Sequence, residues 1–160
     1  MAIGVGDKIP SGTLTRMGPD GPQPVTTDEL FGGKKVVLFA VPGAFTPTCS
    51  AKHLPGFVEK ADQIKAKGVD TIACVAVNDV FVMNAWGKDQ NAGGKVEMLA
   101  DGSAVFAKAL GTVLDLTERG LGVRSGRYSM IVDDGVVKQV NLEQGGGFEV
   151  SDADTILSQL

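Results

Sequence analysis

Cysteine, histidine and long apolar runs are scarce in this sequence, and each scarcity excludes a class of protein. Two cysteines among 160 residues are too few for the disulfide framework of a small secreted domain. Two cysteines and one histidine without tetrahedral spacing do not complete a zinc site, so we expect neither a metal nor a cofactor. No apolar run reaches the roughly 18 residues of a membrane helix, and the first residues lack the features of a signal peptide. We therefore expect a cytoplasmic protein without a membrane partner.

Basic charge is also in short supply. Fifteen lysines and arginines stand against 19 acidic residues, which gives a formal net charge of −4. Because recognition of a phosphate backbone needs a clustered basic face, we expect no nucleic-acid partner. Hydrophobic residues make up 43% of the chain, an ordinary value for a globular protein. The length suits one core, so we predict a single domain over residues 1–160.

What the sequence does contain is an alternation of apolar runs and amphipathic stretches. This pattern is typical of an α/β fold with a central mixed or parallel β-sheet and helices on both faces. We predict a hairpin at 7–27, strands at 35–41, 69–77, 97–100, 128–133 and 136–142, and helices at 49–67, 80–88, 104–110 and 151–160. Asn78-Asp79 and Ser151 are predicted to cap two of the helices. Ligands bind such sheets at the carboxyl ends of strands, so the site is expected in the loop at 42–48.

Cys49 stands at the end of that loop, where the next helix begins. A nucleophilic cysteine needs to be a reachable thiolate with stabilised charge on the departing group. The positive end of a helix dipole favours the thiolate, and the backbone N–H groups of Thr48 and Cys49 would donate to a bound substrate. Pro42 and Pro47 stiffen the loop, and the Thr46 hydroxyl lies within reach of the sulfur. Taken alone, Cys49 would more often be an inert buried thiol than a nucleophile.

The spacing Pro42-x-x-x-Thr46-x-x-Cys49 resembles the Pro-x-x-x-Thr/Ser-x-x-Cys signature of the peroxiredoxins. The stretches VPGAFTPTCSAKHLPGF (41–57), VND (77–79), AWGK (85–88) and LGVRSGRYSMIVDDG (121–135) resemble the peroxiredoxin-5 and plant type II group over nearly the whole chain. The resemblance implies a thioredoxin-like fold. It also implies an enzyme that reduces hydrogen peroxide and alkyl hydroperoxides through a Cys49 sulfenic acid.

The same resemblance implies catalytic roles for Pro42, Thr46, Cys49 and Arg127. The guanidinium of Arg127 would stabilise the thiolate and orient the peroxide through fixed donors. Arg124 is a further candidate for a supporting role.

His53 stands four residues after Cys49 and therefore faces the same side of the helix. A general-base role is conceivable, but a supporting or packing role is preferred. The resemblance further implies a homodimer whose contact lies beside the site, near Phe45, Phe81 and Trp86. Taken alone, these three residues are equally compatible with packing in the core.

The group that recycles the Cys49 sulfenic acid stays open. Cys74 matches the resolving cysteine of plant type II relatives, yet residues 71–77 have the pattern of a core strand, where cysteine is normally a buried hydrophobe. Residues 147–151, where some animal relatives carry a resolving cysteine, contain none. Two routes remain: a Cys49–Cys74 disulfide after local unfolding, or direct attack by glutathione or glutaredoxin. The external reductant would be glutaredoxin with glutathione, or thioredoxin.

Two other functions use part of the same chemistry. A protein-disulfide oxidoreductase needs a Cys-x-x-Cys pair, but Thr46 stands three residues before Cys49. A peroxide-sensing relay protein, which passes oxidation from Cys49 to a partner protein, needs the same thiolate and remains the alternative.

Overall fold

A computed structural model describes residues 2–160. The strands are β1 (Thr13–Gly18), β2 (Gly21–Thr26), β3 (Lys35–Ala40), β4 (Thr71–Ala76), β5 (Glu97–Ala100), β6 (Val113–Leu116), β7 (Gly122–Ser125), β8 (Tyr128–Asp133) and β9 (Val136–Leu142). The helices are α1 (Thr27–Phe31), α2 (Leu54–Ala66), α3 (Val80–Asp89), α4 (Val105–Leu110) and α5 (Ala153–Gln159). A π-helical turn (Cys49–His53) leads into α2, and a short 3₁₀ turn (Thr117–Arg119) joins β6 to β7.

Seven of the strands form one mixed sheet in the order β2-β1-β5-β4-β3-β8-β9. The central strands β3, β4 and β5 are parallel, whereas β1 and β8 join them antiparallel. β6 and β7 form a separate antiparallel pair. The carboxyl ends of β3 and β4 therefore lie side by side at one edge, and the loop that follows β3 starts there.

Both faces of the sheet are covered, because the side chains of β3 alternate between two cores. Val37 and Phe39 pack with α2, α3 and α5 on one face, whereas Val36 and Leu38 pack with α1 and α4 on the other. The predicted α/β fold, with a central mixed sheet and helices on both faces, is confirmed. No helix within the described residues is long and apolar enough to cross a bilayer.

The strand predictions agree with the structure to within two residues at each end, and the N-terminal hairpin is present as β1 and β2. One prediction is wrong. Ser151 does not cap the last helix; Asp152 occupies the cap position, and Ser151 binds elsewhere, as described below. The sequence reading also missed the β6–β7 hairpin.

The helical turns start two residues earlier than predicted, at Pro47, and residues Cys49–His53 form a π turn. The N–H of Leu54 donates to the carbonyl of Cys49, five residues earlier. We attribute the wider turn to Pro55, which has no N–H and whose ring would crowd the carbonyl four residues before it. π turns inside α-helices occur frequently at functional sites.

Candidate active site

The loop between β3 and the π turn is braced from outside. Asn78, just after β4, accepts the N–H of Ala44 at 2.9 Å. Arg124 donates to the carbonyl of Val77 at 3.3 Å and lies against Gly43. A Cβ on Gly43 would approach the Arg124 guanidinium to 3.2 Å, so a larger residue would press on this brace. Arg124 thus supports the loop from behind.

The sulfur of Cys49 lies below the surface in contact with Arg127. Cys49 is fully buried, and Nη2 of Arg127 donates to its Sγ at 3.2 Å. Arg127 directly precedes β8, which pairs with β3 so that Tyr128 lies opposite Ala40. This pairing brings the arginine to the mouth of the loop, 78 residues along the chain from the cysteine.

The charge of Arg127 needs a negative partner. The residue is only 6% exposed, and a buried charge without compensation is strongly unfavourable. No carboxylate among residues 2–160 forms an ion pair with it. The Cys49 sulfur is the group nearest to the guanidinium that could carry a negative charge, so Arg127 is placed to stabilise charge on that sulfur.

His53 holds the other side of the guanidinium. Nη1 of Arg127 donates to Nδ1 of His53 at 2.8 Å, and Nε2 of His53 lies 3.0 Å from the carbonyl of Ser151. These partners require the neutral ring with its proton on Nε2. Burial, together with the charge of Arg127, lowers the pKa of His53 to about 3. The ring therefore has no free lone pair for a general base, and its contact with Arg127 fits the supporting role.

A cavity of about 410 Å³ lies beside the loop that precedes Cys49 and reaches Arg127; Cys49 itself does not line it. Its lining includes Pro42, Thr46, Pro47, Thr48, Leu114, Leu116 and Arg127. Arg119 lines the cavity as well, so its polar groups are two arginines and two threonines among otherwise apolar residues, and the cavity suits a small molecule that carries hydrogen-bonding oxygens. The two leucines come from β6, which the sequence reading had missed.

The Thr46 hydroxyl does not bond to the Cys49 sulfur, contrary to one of the uses considered from the sequence. It donates to the carbonyl of Gly43 at 2.6 Å. Its oxygen keeps a lone pair that can accept a hydrogen bond from a ligand in the cavity. The first bonded N–H of this turn is that of Ser50, which donates to the Thr46 carbonyl at 2.9 Å. The N–H groups of Thr48 and Cys49, which no carbonyl or side chain of residues 2–160 accepts, remain available there.

Cys74 lies in the middle of the sheet on β4, opposite Phe39, and is fully buried. Burial, with a smaller contribution from Cys49, raises the pKa of the Cys74 thiol well above its usual range. Both cysteines are free thiols within the same core cluster. Cys74 is therefore a protonated core residue in this conformation. Among the described residues no group of three histidine, cysteine, aspartate or glutamate side chains is arranged to hold a metal ion.

The segment after β9 completes the site. Both oxygens of Glu143 accept the N–H of Glu149, and Oε2 also accepts the N–H groups of Val150 and Ser151 and the Ser151 hydroxyl, at 2.6–3.0 Å. Burial alone would raise the pKa of Glu143, but these hydrogen bonds outweigh it and the pKa lies below its usual value. The ring of Phe148 lies 5.0 Å from the His53 ring at a tilt of 55°, and its centroid lies 5.6 Å from the Arg127 guanidinium carbon.

The structure thus brings together Cys49, Arg127, His53 and Thr46, and leaves Cys74 in the core. Sequence reasoning missed Glu143 and Phe148. Glu143 is a lone acid after a strand, and no spacing rule connects it to a site. Trp86, for which core packing and a place near the homodimer contact were both open, is buried and donates through Nε1 to the Ser50 hydroxyl at 3.0 Å.

Comparisons with known proteins agree on one family. The Redoxin family model matches residues 4–157. The chain is 52% identical to Peroxiredoxin-2B of Arabidopsis thaliana over 99% of this chain and 98% of that protein. It is 53% identical to the chloroplastic Peroxiredoxin-2E of the same plant, over 99% of this chain and 70% of that protein. The crystal structure of reduced Prx3 from Vibrio vulnificus in complex with H₂O₂ superposes with a TM-score of 0.95 at 56% identity, covering 98% of each chain.

Proposed function

Because the chain belongs to the Redoxin family and is a peroxiredoxin, a thiol-dependent peroxidase with a thioredoxin-like fold, we propose that Cys49 is the thiol that attacks the peroxide. The observation that carries the proposal is the buried Arg127, whose guanidinium lies 3.2 Å from the Cys49 sulfur and has no carboxylate partner among residues 2–160. A positive group fixed at the sulfur favours the thiolate before attack and stabilises negative charge during it.

In the reaction, the Cys49 thiolate attacks the hydroxyl oxygen of ROOH. The S–O bond forms as the O–O bond breaks, which leaves a sulfenic acid and an alkoxide that takes up a proton to give ROH. Arg127 and the N–H groups of Thr48 and Cys49 donate to the oxygens that gain charge. The Thr46 oxygen accepts from the peroxide hydroxyl and so orients it, while Pro42 forms an apolar wall of the cavity. The Nε–H of Arg127, a buried donor without an acceptor in the described chain, can also bind the peroxide.

We infer that an external thiol, rather than Cys74, attacks the sulfenic acid. A protonated thiol is a poor nucleophile, and Cys74 is both fully buried and shifted toward its protonated form. Attack by glutathione or a glutaredoxin thiol forms a mixed disulfide and releases water, and a second thiol then releases Cys49. Thioredoxin can supply the same two electrons.

The exposed aromatic residues next to the site support a homodimer. Phe45, within the loop that precedes Cys49, is 53% exposed, and Phe81, in the first turn of α3, is 63% exposed. Sedimentation velocity should show a dimer that Phe81→Asp weakens; a wild-type monomer at all concentrations would contradict the proposal.

The single seven-stranded sheet supports the prediction of one domain. The cytoplasmic location stays a prediction, since some relatives are chloroplastic.

Turnover of H₂O₂ and tert-butyl hydroperoxide with glutathione and a glutaredoxin tests the assignment. The wild type should turn over many times, Cys49→Ser should be inactive, and Cys74→Ser serves as the matched thiol control. Activity that survives in Cys49→Ser would remove this cysteine from the mechanism. The relay alternative predicts stoichiometric oxidation of a partner protein without multiple turnovers, so the turnover number separates the two functions.

A further inference from the structure

We propose that Glu143 is a positioning residue for the peroxide reaction, because its carboxylate closes a ring of hydrogen bonds that begins and ends at Arg127. The inference rests on the proposed roles of Cys49 and Arg127. Glu143 touches neither the sulfur nor the cavity, and it acts through Ser151 and His53.

The first part of the ring is backbone. The N–H of Glu143 donates to the carbonyl of Arg127 at 3.0 Å, which continues the pairing of β8 with β9 by one residue. The backbone of Glu143 is therefore fixed directly beside the backbone of the arginine. Its side chain starts from a position that the sheet defines.

The second part is the carboxylate. Oε2 of Glu143 accepts the N–H of Ser151 at 2.8 Å and its hydroxyl at 2.6 Å, besides the N–H groups of Glu149 and Val150. These groups belong to a glycine-rich segment outside any strand or helix. Hydrogen bonds to a charged acceptor are about twice as strong as neutral ones. The carboxylate oxygen therefore fixes the backbone conformation of residues 149–151.

The third part returns to the guanidinium. With its amide and hydroxyl held, Ser151 presents its carbonyl to Nε2 of His53 at 3.0 Å. That bond fixes the proton of His53 on Nε2 and leaves the Nδ1 lone pair for Arg127 at 2.8 Å. The opposite nitrogen of the same guanidinium meets the Cys49 sulfur at 3.2 Å. A shift of Ser151 would therefore displace His53 and, through it, the Arg127 nitrogen that donates to the sulfur.

Phe148 gives the segment a second contact with the same pair. Its ring lies 5.0 Å from the His53 ring and 5.6 Å from the Arg127 guanidinium carbon. The carboxylate thus holds both the hydrogen-bonding and the aromatic neighbours of the arginine. Local capping alone would not require the segment to end on His53.

The test measures the second-order rate constant of H₂O₂ with reduced enzyme for the wild type, Glu143→Ala, Glu143→Gln and Glu29→Ala. Glu29 is the matched control, because its carboxylate caps another segment through Thr26 and has no connection to Arg127. Misplacing a reacting group by about 1 Å can lower a rate by about 100-fold. We expect Glu143→Ala to lower the constant roughly 10- to 100-fold. Glu143→Gln, whose amide oxygen can take the place of Oε2, should lower the rate constant only a few-fold. The rate constant of Glu29→Ala should stay within about twofold of the wild-type value.

The same substitution is then made in an Arg127→Gln background. If Glu143 acts through the arginine, Glu143→Ala should lower the rate constant by less than about twofold in the Arg127→Gln background. An equal loss in both backgrounds, or a Glu143→Ala enzyme as fast as the wild type, overturns the proposal. If Glu143→Ala melts at the assay temperature, the same cycle is run with Glu143→Gln. Failure of Arg127→Gln itself to slow the wild type would instead count against the proposed function.

Discussion

Arg127→Lys separates the geometry of the guanidinium from its charge. Arg127 donates to the Cys49 sulfur from one nitrogen and to His53 Nδ1 from another, at 3.2 and 2.8 Å. An ammonium group is a single point and cannot reach both partners in this arrangement. If the ammonium group bonds to His53, the Cys49 sulfur loses its donor. If the ammonium group bonds to the sulfur, the lysine loses its hydrogen bond to His53.

The expected loss follows from one charge-assisted hydrogen bond. Such a bond contributes about 1.5–3 kcal/mol, and each ~1.4 kcal/mol is a factor of ten in rate. Arg127→Lys should therefore react with H₂O₂ roughly 10- to 100-fold more slowly than the wild type. Arg16→Lys, on the far side of the sheet in an ion pair with Glu97, should be unchanged.

Stopped-flow fluorescence provides the measurement. Trp86 is the only tryptophan of the chain, and its indole donates to Ser50, the residue after Cys49, so its emission should follow oxidation of the sulfur. The melting temperature of each variant is recorded in parallel to exclude unfolding. An Arg127→Lys enzyme within twofold of the wild type would show that charge alone suffices, and the argument from two fixed donors would be wrong. Added guanidinium should restore part of the rate to Arg127→Ala, whose cavity has room for it.

Two further predictions concern the other buried groups. Cys74→Ser should keep its peroxidase activity with glutaredoxin and glutathione, and collapse of that activity would contradict direct resolution. The intact mass of the wild type after one equivalent of peroxide should show a gain of one oxygen rather than a loss of two hydrogens. The pKa of His53 is lowered from 6.5 to about 3 on folding, so the unfolded chain takes up the proton first. The contribution of this group to stability is complete above about pH 6.5 and decreases by about 1.4 kcal/mol per pH unit as the pH falls toward 3. Between pH 7.5 and pH 5 the free energy of urea unfolding should decrease more for the wild type than for His53→Gln. Equal decreases in the two proteins would argue against a neutral buried ring.

The sequence predicted those parts of the site that depend on local pattern. β3 and β4 are continuous apolar runs, and such runs fit a parallel strand covered on both faces. Cys49 was found because a strand, a proline-containing loop and a helix follow one another, and Arg127 because the stretch around it resembles a known family. Their contact could not be derived from the residues alone, since it depends on the pairing of β3 with β8.

The remaining parts of the site depend on contacts between distant residues. His53 meets the carbonyl of Ser151 across 98 positions and Arg127 across 74. A histidine four residues after a cysteine suggests a general base, and only the two occupied ring nitrogens exclude it. Ser151 before an acidic stretch has the pattern of a helix cap, but the carboxylate of Glu143 competes for its hydroxyl. In each case a tertiary partner outweighed the local preference.

The π turn links access to the sulfur with the lifetime of its oxidised form. Cys49 and His53 are the first and last residues of that single turn, and Arg127 bonds to both. A motion that unwinds the turn to present the sulfenic acid to a bulky reductant must therefore release both ends of the guanidinium together. While the turn stays wound, a second peroxide, which is small enough for the cavity, competes for the same sulfur and converts it irreversibly to the sulfinic acid. Under the mechanism proposed for Cys49, a turn that unwinds more often would therefore raise the peroxide concentration at which the enzyme inactivates itself.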